Sequence, residues 1–425
     1  MTGGAAEPSE PEGYDAFAKR LLESRIITDP WLEGRARFAE APIVLEPGRA
    51  KTLADTGRRV AELYDEGVQL VADDPPLLES FFGLTPVQRA MFQASQPLWH
   101  GIARADIFFT SDGVAVAELN CDTPTGEAEA VVLGELARAA NPTLLDPNQG
   151  LPKAFLRVLE AMREALVGPA ANRVVGIVYP TEFTEDLSLV RLYKKWLEGA
   201  GFEVALGSPY NLRSTEEDAT CRVFDEPVST LVRHYKTDWW SERASAWDDE
   251  ALADTSPLTG PLYVAMRAHA EGKTAVVNPF GSVVPQNKRM MAFMWENIHR
   301  FSLVSQDVIR ELIPITSRLE SLHPEMLKAQ RESWVIKSDF GAEGDEVVVG
   351  RHVDDATWNE TIEHARSGRW VAQRYFEAEL DPRGQTTNFG VFVCAGEPAG
   401  LYARVQAGPT DEAALSTPVL IRPKG

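Results

Sequence analysis

The chain has 425 residues, of which 44% are hydrophobic, enough for a substantial core spread over two or three domains. Its net charge of −21 repels phosphate backbones and anionic lipid, which disfavours nucleic-acid binding and a peripheral membrane role. Cys121, Cys221 and Cys394 are too far apart for a disulfide framework or a zinc site, and no apolar run reaches the length of a membrane span. With no signal-like start either, a cytoplasmic protein is the expectation.

Residues 1–13, rich in Gly, Ala, Glu and Pro, read as a disordered tail. From there to about Gln96 the chain reads as mostly helical, with apolar positions at three- and four-residue spacing over 54–71 and a helix start at Thr85-Pro86. A hairpin follows: Ile107-Phe108-Phe109 and the apolar residues of 114–119 flank the turn chemistry of Ser111-Asp112-Gly113. Side chains alternate across a strand, so Glu118 and Asn120 share one face, and Asp106 near the start of the partner strand joins them. Two carboxylates and an amide oxygen on one sheet face form a hard-oxygen site suited to Mg²⁺. By itself such a face is also what any solvated hairpin presents.

Helices over 127–139 and 152–166 lead to the apolar run 174–179, an amphipathic helix over 187–197 and a second strand over 202–206. This rhythm, with a further strand over 229–234, predicts a small parallel sheet covered on both faces. A loop over 248–261, a helix over 262–270 and a strand over 274–277 complete that part. The last third alternates again, with helices over 286–297 and 305–312 and strands over 334–337, 346–350 and 370–373. An antiparallel pair over 388–394 and 401–405 closes it around Gly396-Glu397-Pro398. The domain division expected is a tail over 1–13, then a helical N-terminal region with the metal hairpin (104–120) over 14–170. A small α/β substrate domain over 171–260 and a nucleotide-binding region over 261–425 follow.

Lys337 ends a short apolar strand and leads into Ser338-Asp339-Phe340-Gly341-Ala342-Glu343-Gly344. Glycines let successive amides approach phosphate oxygens, and the lysine adds a compact positive charge. Asn287-Lys288 offers a second lysine at a helix entrance, and Gln373 lies where a strand meets a polar exit, a place whose backbone suits an adenine edge. Each of these motifs is weak alone.

Their order is not. Arg104-x-Asp106 followed by Glu118-x-Asn120, then Asn287-Lys288 leading to Met294-Trp295, resembles the glutathionylspermidine synthase family of circularly permuted ATP-grasp ligases. The segment from Arg233-His234-Tyr235-Lys236 to Thr237-Asp238-Trp239 and the terminal Pro398-Ala399-Gly400-Leu401-Tyr402-Ala403-Arg404 are similar to that family's motifs too. The resemblance covers roughly residues 95 to 425. It implies an α/β ATP-grasp fold, circularly permuted, with a small βαβ pre-ATP-grasp-like domain. It implies ATP and Mg²⁺ as cofactors, with Asp106, Glu118 and Asn120 as metal ligands and Arg104 and Arg404 at the reaction centre. Lys288, Lys337, Gly341, Gly344 and Gln373 would bind the nucleotide, and Arg233, Asp238 and Trp239 the substrate. The activity implied joins a small-molecule carboxylate, such as glutathione or a peptide, to an amine, such as a polyamine, through an acyl phosphate.

The family's bifunctional members add an amidase domain, so only the synthetase part is expected here. Ser338-Asp339 replaces the Pro and small residues of many relatives, with Glu343 and Asp345 nearby. Those charges suit a second metal or an amine, or a weakened nucleotide site. The reading from a different class is a nucleotide-binding regulatory protein of the same fold without turnover, against which the joint presence of Glu118, Asn120, Lys337 and Arg404 argues. Oligomeric state is not legible.

Overall fold

The computed structural model describes residues 13–32, 34–96, 98, 101–181, 186–242, 258–341, 347–408 and 413–424. The tail expected over 1–13 therefore lies, except for Gly13, outside the described residues. Among the described residues no helix is long and apolar enough to cross a membrane.

Three sheets organise the chain. The first is antiparallel, with strands in the order Leu415–Ser416, Glu397–Gln406, Thr386–Cys394, Ile102–Thr110 and Gly113–Asn120. It unites the expected hairpin with the expected C-terminal pair. Ala103, Ala105, Ile107, Val391, Val393, Leu401 and Ala403 alternate onto one face, where they meet Val60, Leu63 and Tyr64 of the 26-residue helix Pro47–Ala72. That helix comes close at Gly57, where a Cβ would stand 2.7 Å from Val391 Cγ1. Each fully buried aliphatic side chain here contributes about 1.5–3 kcal/mol of transfer free energy.

The second sheet, also antiparallel, runs Thr316–Arg318, Trp370–Arg374, Trp334–Ser338, Val347–Val349. The helix Asp355–Ala365, capped by the Asp354 side chain, supplies Trp358 and Ile362 to its core. The third is parallel, in the order Ala275–Val277, Thr230–Arg233, Val174–Val178, Glu203–Gly207. Val174–Val178 is buried throughout, as a strand covered on both faces must be.

The N-terminal stretch departs from the helical expectation. Besides helices Tyr14–Glu23, Pro47–Ala72, Leu77–Ser80 and Pro86–Ala94, it holds strands Trp31–Leu32, Arg35–Ala36 and Ile43–Leu45. The last pairs in parallel with Val419–Ile421, a partner nearly 400 positions away that no local pattern reveals. Thr85 does start a helix, through a reciprocal capping box with Gln88. Helix Thr259–Ala270 begins inside the expected 248–261 loop, and the helix expected over 286–297 is shorter, Arg289–Glu296.

Asn278 joins the parallel sheet to the hairpin. Its Oδ1 accepts from the amides of Gly101 (2.8 Å) and Ile102 (2.9 Å). Its Nδ2 donates to the carbonyls of Ile102 (2.8 Å), Cys121 (3.1 Å) and Asp122 (3.0 Å), so one buried amide holds both strands of the hairpin. Asn278→Ala leaves these backbone groups unsatisfied, and a loss of about 2–4 kcal/mol of unfolding free energy is expected in urea titrations. A loss below about 1 kcal/mol would show that the staple is dispensable.

Candidate active site

The first sheet has a second face, and its polar end forms the site. Register places Arg104 opposite Asn120, Asp106 opposite Glu118, Gly390 opposite Asp106, and Asn388 opposite Arg404. With a period of two these side chains project together, away from the apolar core. A β-bulge makes this possible. Ile107 pairs with Val116 but Asp106 pairs with Glu118, so Ala117 is an extra residue. Beyond it Leu119 rejoins the apolar core with Val116, and Glu118 and Asn120 turn to the polar face. Without the bulge, Val116 and Glu118 would share a side.

Gly390 makes room for the guanidinium of Arg104: a Cβ there would lie 2.6 Å from Arg104 Cδ. Arg104 grips Asp106 with two bonds, Nε to Oδ1 at 2.7 Å and Nη2 to Oδ2 at 3.0 Å, and donates Nη1 to the Thr125 carbonyl at 2.7 Å. Asn388 Nδ2 (3.2 Å) and Arg404 Nη2 (3.6 Å) also face Asp106 Oδ2. Asn388 Oδ1 is buried with no hydrogen-bond partner, an oxygen left free beside the carboxylate.

Two lysines arrive from other elements. Lys288, at the entrance of helix Arg289–Glu296, reaches Glu118 Oε2 at 3.5 Å and the Gly341 carbonyl at 2.5 Å. Lys337, on strand Trp334–Ser338, donates to Gln373 Oε1 at 2.8 Å and to the bulge carbonyl of Ala117 at 3.4 Å. Burial raises the Glu118 carboxyl, but Lys288 and then Lys337 more than reverse this and hold it well below the usual carboxylate range. Burial pushes the Lys337 ammonium down to about 8, with Glu118 opposing the shift and Lys288 adding to it.

Asn120 donates to Glu118 Oε1 at 3.2 Å. The structure thus brings together Arg104, Asp106, Glu118, Asn120, Lys288, Lys337, Gly341, Gln373 and Arg404. Gln373 stands at the strand end expected to read adenine. Its side chain, however, is buried and spans Lys337 and Thr316 Oγ1 (3.2 Å), so it orients the lysine. Gly344, with Glu343 and Asp345, lies outside the described residues.

Arg233 lies deeper than Asp238 and Trp239, the other residues expected on the substrate side. It is wholly enclosed, with Nη2 on Asp122 Oδ1 (2.5 Å) and Ser282 Oγ (3.2 Å), Nε on the Asn278 carbonyl (3.1 Å) and Nη1 on the Tyr235 carbonyl (2.6 Å). These contacts fasten the hairpin's exit to the parallel sheet. Asp238 and Trp239 lie on helix Thr237–Ser241, whose first amide donates to Asp122 Oδ2 at 2.6 Å. Burial pushes the Asp238 carboxyl up to about 6, against Lys236.

The sequence reading missed Asn388, Asp122, Gln286 and Asn278. Gln286 Oε1 accepts from the amides of Cys121 (2.8 Å) and Asp122 (3.0 Å). Asn388 carried one available signal: it stands two residues before Gly390 on the strand paired with Arg404.

No three His, Cys, Asp or Glu side chains converge as a metal cage among the described residues. The fit for Mg²⁺ rests on a different donor set: Asp106 and Glu118 in register, the amide of Asn120, and the free oxygen of Asn388. Magnesium takes one or two protein carboxylates and completes its shell with phosphate and water, so this sparse oxygen set is of the right kind.

Residues 39–422 match the family described as the glutathionylspermidine synthase pre-ATP-grasp. A comparison with curated proteins finds no match. Among solved structures, the chain is similar to a glutathione synthetase-like effector from Globodera pallida, with a TM-score of 0.58 and 11% identity over 97% of this chain and 99% of that one. A putative gamma-glutamylcysteine synthetase from Methylobacillus flagellatus gives a TM-score of 0.46 and 14% identity over 89% and 87% of the two chains. At such identities the first likeness speaks to fold alone, and the second adds nothing to it. With nearly the whole chain matched, the protein belongs to the glutathionylspermidine synthase pre-ATP-grasp family and is an ATP-dependent ligase of the ATP-grasp fold.

Proposed function

We propose that the chain is a Mg²⁺- and ATP-dependent carboxylate–amine ligase, glutathionylspermidine synthase-like, that makes an amide through an acyl phosphate. The observation that carries this reading is the meeting of Lys288 and Lys337 with the acidic face, Lys288 lying 3.5 Å from Glu118. Two lysines and two arginines around two carboxylates and an amide form a cleft for a polyphosphate with a cation. In this reading Asp106, Glu118 and Asn120 would hold Mg²⁺, which would supply positive charge against the phosphates. Lys288 and Lys337 exchange their contacts with Glu118 and Gln373 for the ATP phosphates. The amides around Gly341 cover those phosphates, with Gly344 assigned to the same loop by its sequence.

A substrate carboxylate oxygen attacks the γ-phosphorus as the bond to the ADP oxygen breaks. Arg104 and Arg404 face the charge spread over the moving phosphoryl group. A neutral amine then attacks the acyl carbon, phosphate leaves with the bonding electrons, and the amine proton passes to solvent. Positioning and charge do the chemistry, and no protein nucleophile is required. Asp238 and Trp239 are assigned to the substrate side. A carboxylate of the glutathione or peptide class and an amine of the polyamine class suit the family, and the net charge of −21 favours a cationic partner. The same reading places the enzyme in the cytoplasm.

The decisive experiment is ADP release from Mg-ATP against pools of thiol peptides and other carboxylates crossed with polyamines and other amines. ADP that forms only when both an acid and an amine are present is expected. Mg-ATP binding without ADP from any pool would favour the regulatory alternative. Lys337→Ala removes a buried charged contact worth about 1.5–3 kcal/mol, so calorimetry should find Mg-ATP bound roughly ten- to hundredfold more weakly. Unchanged affinity would remove Lys337 from the nucleotide site.

Glu118→Ala is expected to abolish turnover while ATP binding without Mg²⁺ changes little. Ordinary activity of that variant at low millimolar Mg²⁺ would make the hairpin structural only. Arg404→Ala should lower kcat strongly and the KM for ATP modestly, and Arg404→Lys should recover little, because a point charge cannot replace the planar fork. Normal kcat with a large rise in KM would reduce Arg404 to a binding residue.

A further inference from the structure

The nucleotide loop and the substrate helix are joined by one side chain that the catalytic reading does not use. Arg369 immediately precedes strand Trp370–Arg374, and its guanidinium lies between two carboxylates. Nε is 2.9 Å from Asp339 Oδ2, on the loop after Lys337. Nη2 donates to Glu242 Oε2 at 2.7 Å, at the C-terminal cap of helix Thr237–Ser241. Nη1 points to the Gly83 carbonyl (3.3 Å) and to Gln88 Oε1 (3.4 Å), and Gln88 Nε2 in turn donates to Glu242 Oε2 at 3.1 Å.

Asp339 is also tied to the Asn287-Lys288 pair. Its Oδ2 accepts from Asn287 Nδ2 at 3.0 Å and its carbonyl from the Lys288 amide at 2.9 Å. Asp339 is also anchored through its own amide to the Arg369 carbonyl at 2.9 Å. A continuous polar chain therefore runs from Glu242, past Arg369 and Asp339, to Asn287 and Lys288. Gly83 keeps the junction open: a Cβ there would stand 3.1 Å from Arg369 Cδ.

We propose that Arg369 is a positioning residue that makes the ATP affinity of the loop depend on the placement of the substrate helix, through its paired contacts with Asp339 and Glu242. The inference rests on the ligase reading of the site. Glu242 belongs to the substrate side, so an effect of Glu242 on ATP binding is what separates coupling from a local structural role. A planar fork is needed, since an ammonium has one charge centre and cannot face both carboxylates in this geometry.

Calorimetric titration of the full chain with Mg-ATP tests it, using wild type, Arg369→Gln, Glu242→Gln, the double variant and Arg369→Lys. Glu242→Gln should weaken Mg-ATP about three- to tenfold, and the double variant should be no weaker than Arg369→Gln alone, the non-additivity expected of residues in one network. Arg369→Lys should keep the thermal midpoint of the wild type without restoring ATP affinity. Wild-type affinity in Glu242→Gln, or full rescue by Arg369→Lys, overturns the proposal while leaving the ligase reading intact. Absence of Mg-ATP binding by the wild type overturns the ligase reading and the proposal with it.

Discussion

Burying charge is the constraint on which this structure turns. Arg104, Asp106, Lys288 and Lys337 are all nearly withdrawn from water on or against one sheet face. An unpaired ion in such surroundings costs several kcal/mol, and breaking a buried pair leaves that penalty exposed. Each charge is accordingly paired or bonded: Arg104 with Asp106, Lys288 with Glu118, Lys337 with the oxygens of Gln373 and Ala117. The arrangement remains incompletely satisfied. Lys337 holds its proton less firmly than a free lysine, and Asn388 Oδ1 has no donor. A ligand bringing negative charge and a cation relieves both deficits at once, which is why a face so poorly suited to stability is well suited to phosphate.

Much of that face was legible before any coordinates. Alternation put Glu118 and Asn120 on one side, and the order of short motifs linked the hairpin to Lys288, Lys337 and Arg404 across most of the chain. Glu118 and Asn120 do share a face, but simple alternation along the strand does not put them on the polar one. From Val114 and Val116, strict alternation would have carried Glu118 and Asn120 into the apolar core, and the bulge at Ala117 is what turns them out. A bulge is set by what packs on either side of the strand, here the helix Leu303–Leu312, and that partner is remote in sequence.

The same physics explains what stayed hidden. Asn278, Gln286 and Asp122 are ordinary polar residues locally, and their meaning comes from partners more than a hundred positions away. Ile43–Leu45 is a strand because Val419–Ile421 pairs with it, and Thr316–Arg318 because Gln373 and its neighbours do. Where periodicity was strong and local, as in helix Leu151–Leu166 or strand Val174–Val178, the elements fell where their patterns placed them, with ends displaced by a residue or two.

Arg233 has a structural role of its own. Its guanidinium and Thr237 both hold Asp122, and Asp122 follows Asn120 by two positions. The hairpin therefore leaves the polar face and is at once fastened to the parallel sheet and to the helix that carries Asp238 and Trp239. The position of Asn120 therefore depends on this fastening as much as on its own strand. Asp122 likewise ties the helix Thr237–Ser241 to the parallel sheet, through the Thr237 amide and Arg233. One buried carboxylate thus holds the polar face, the helix and the parallel sheet in a single arrangement, and its loss would release all three.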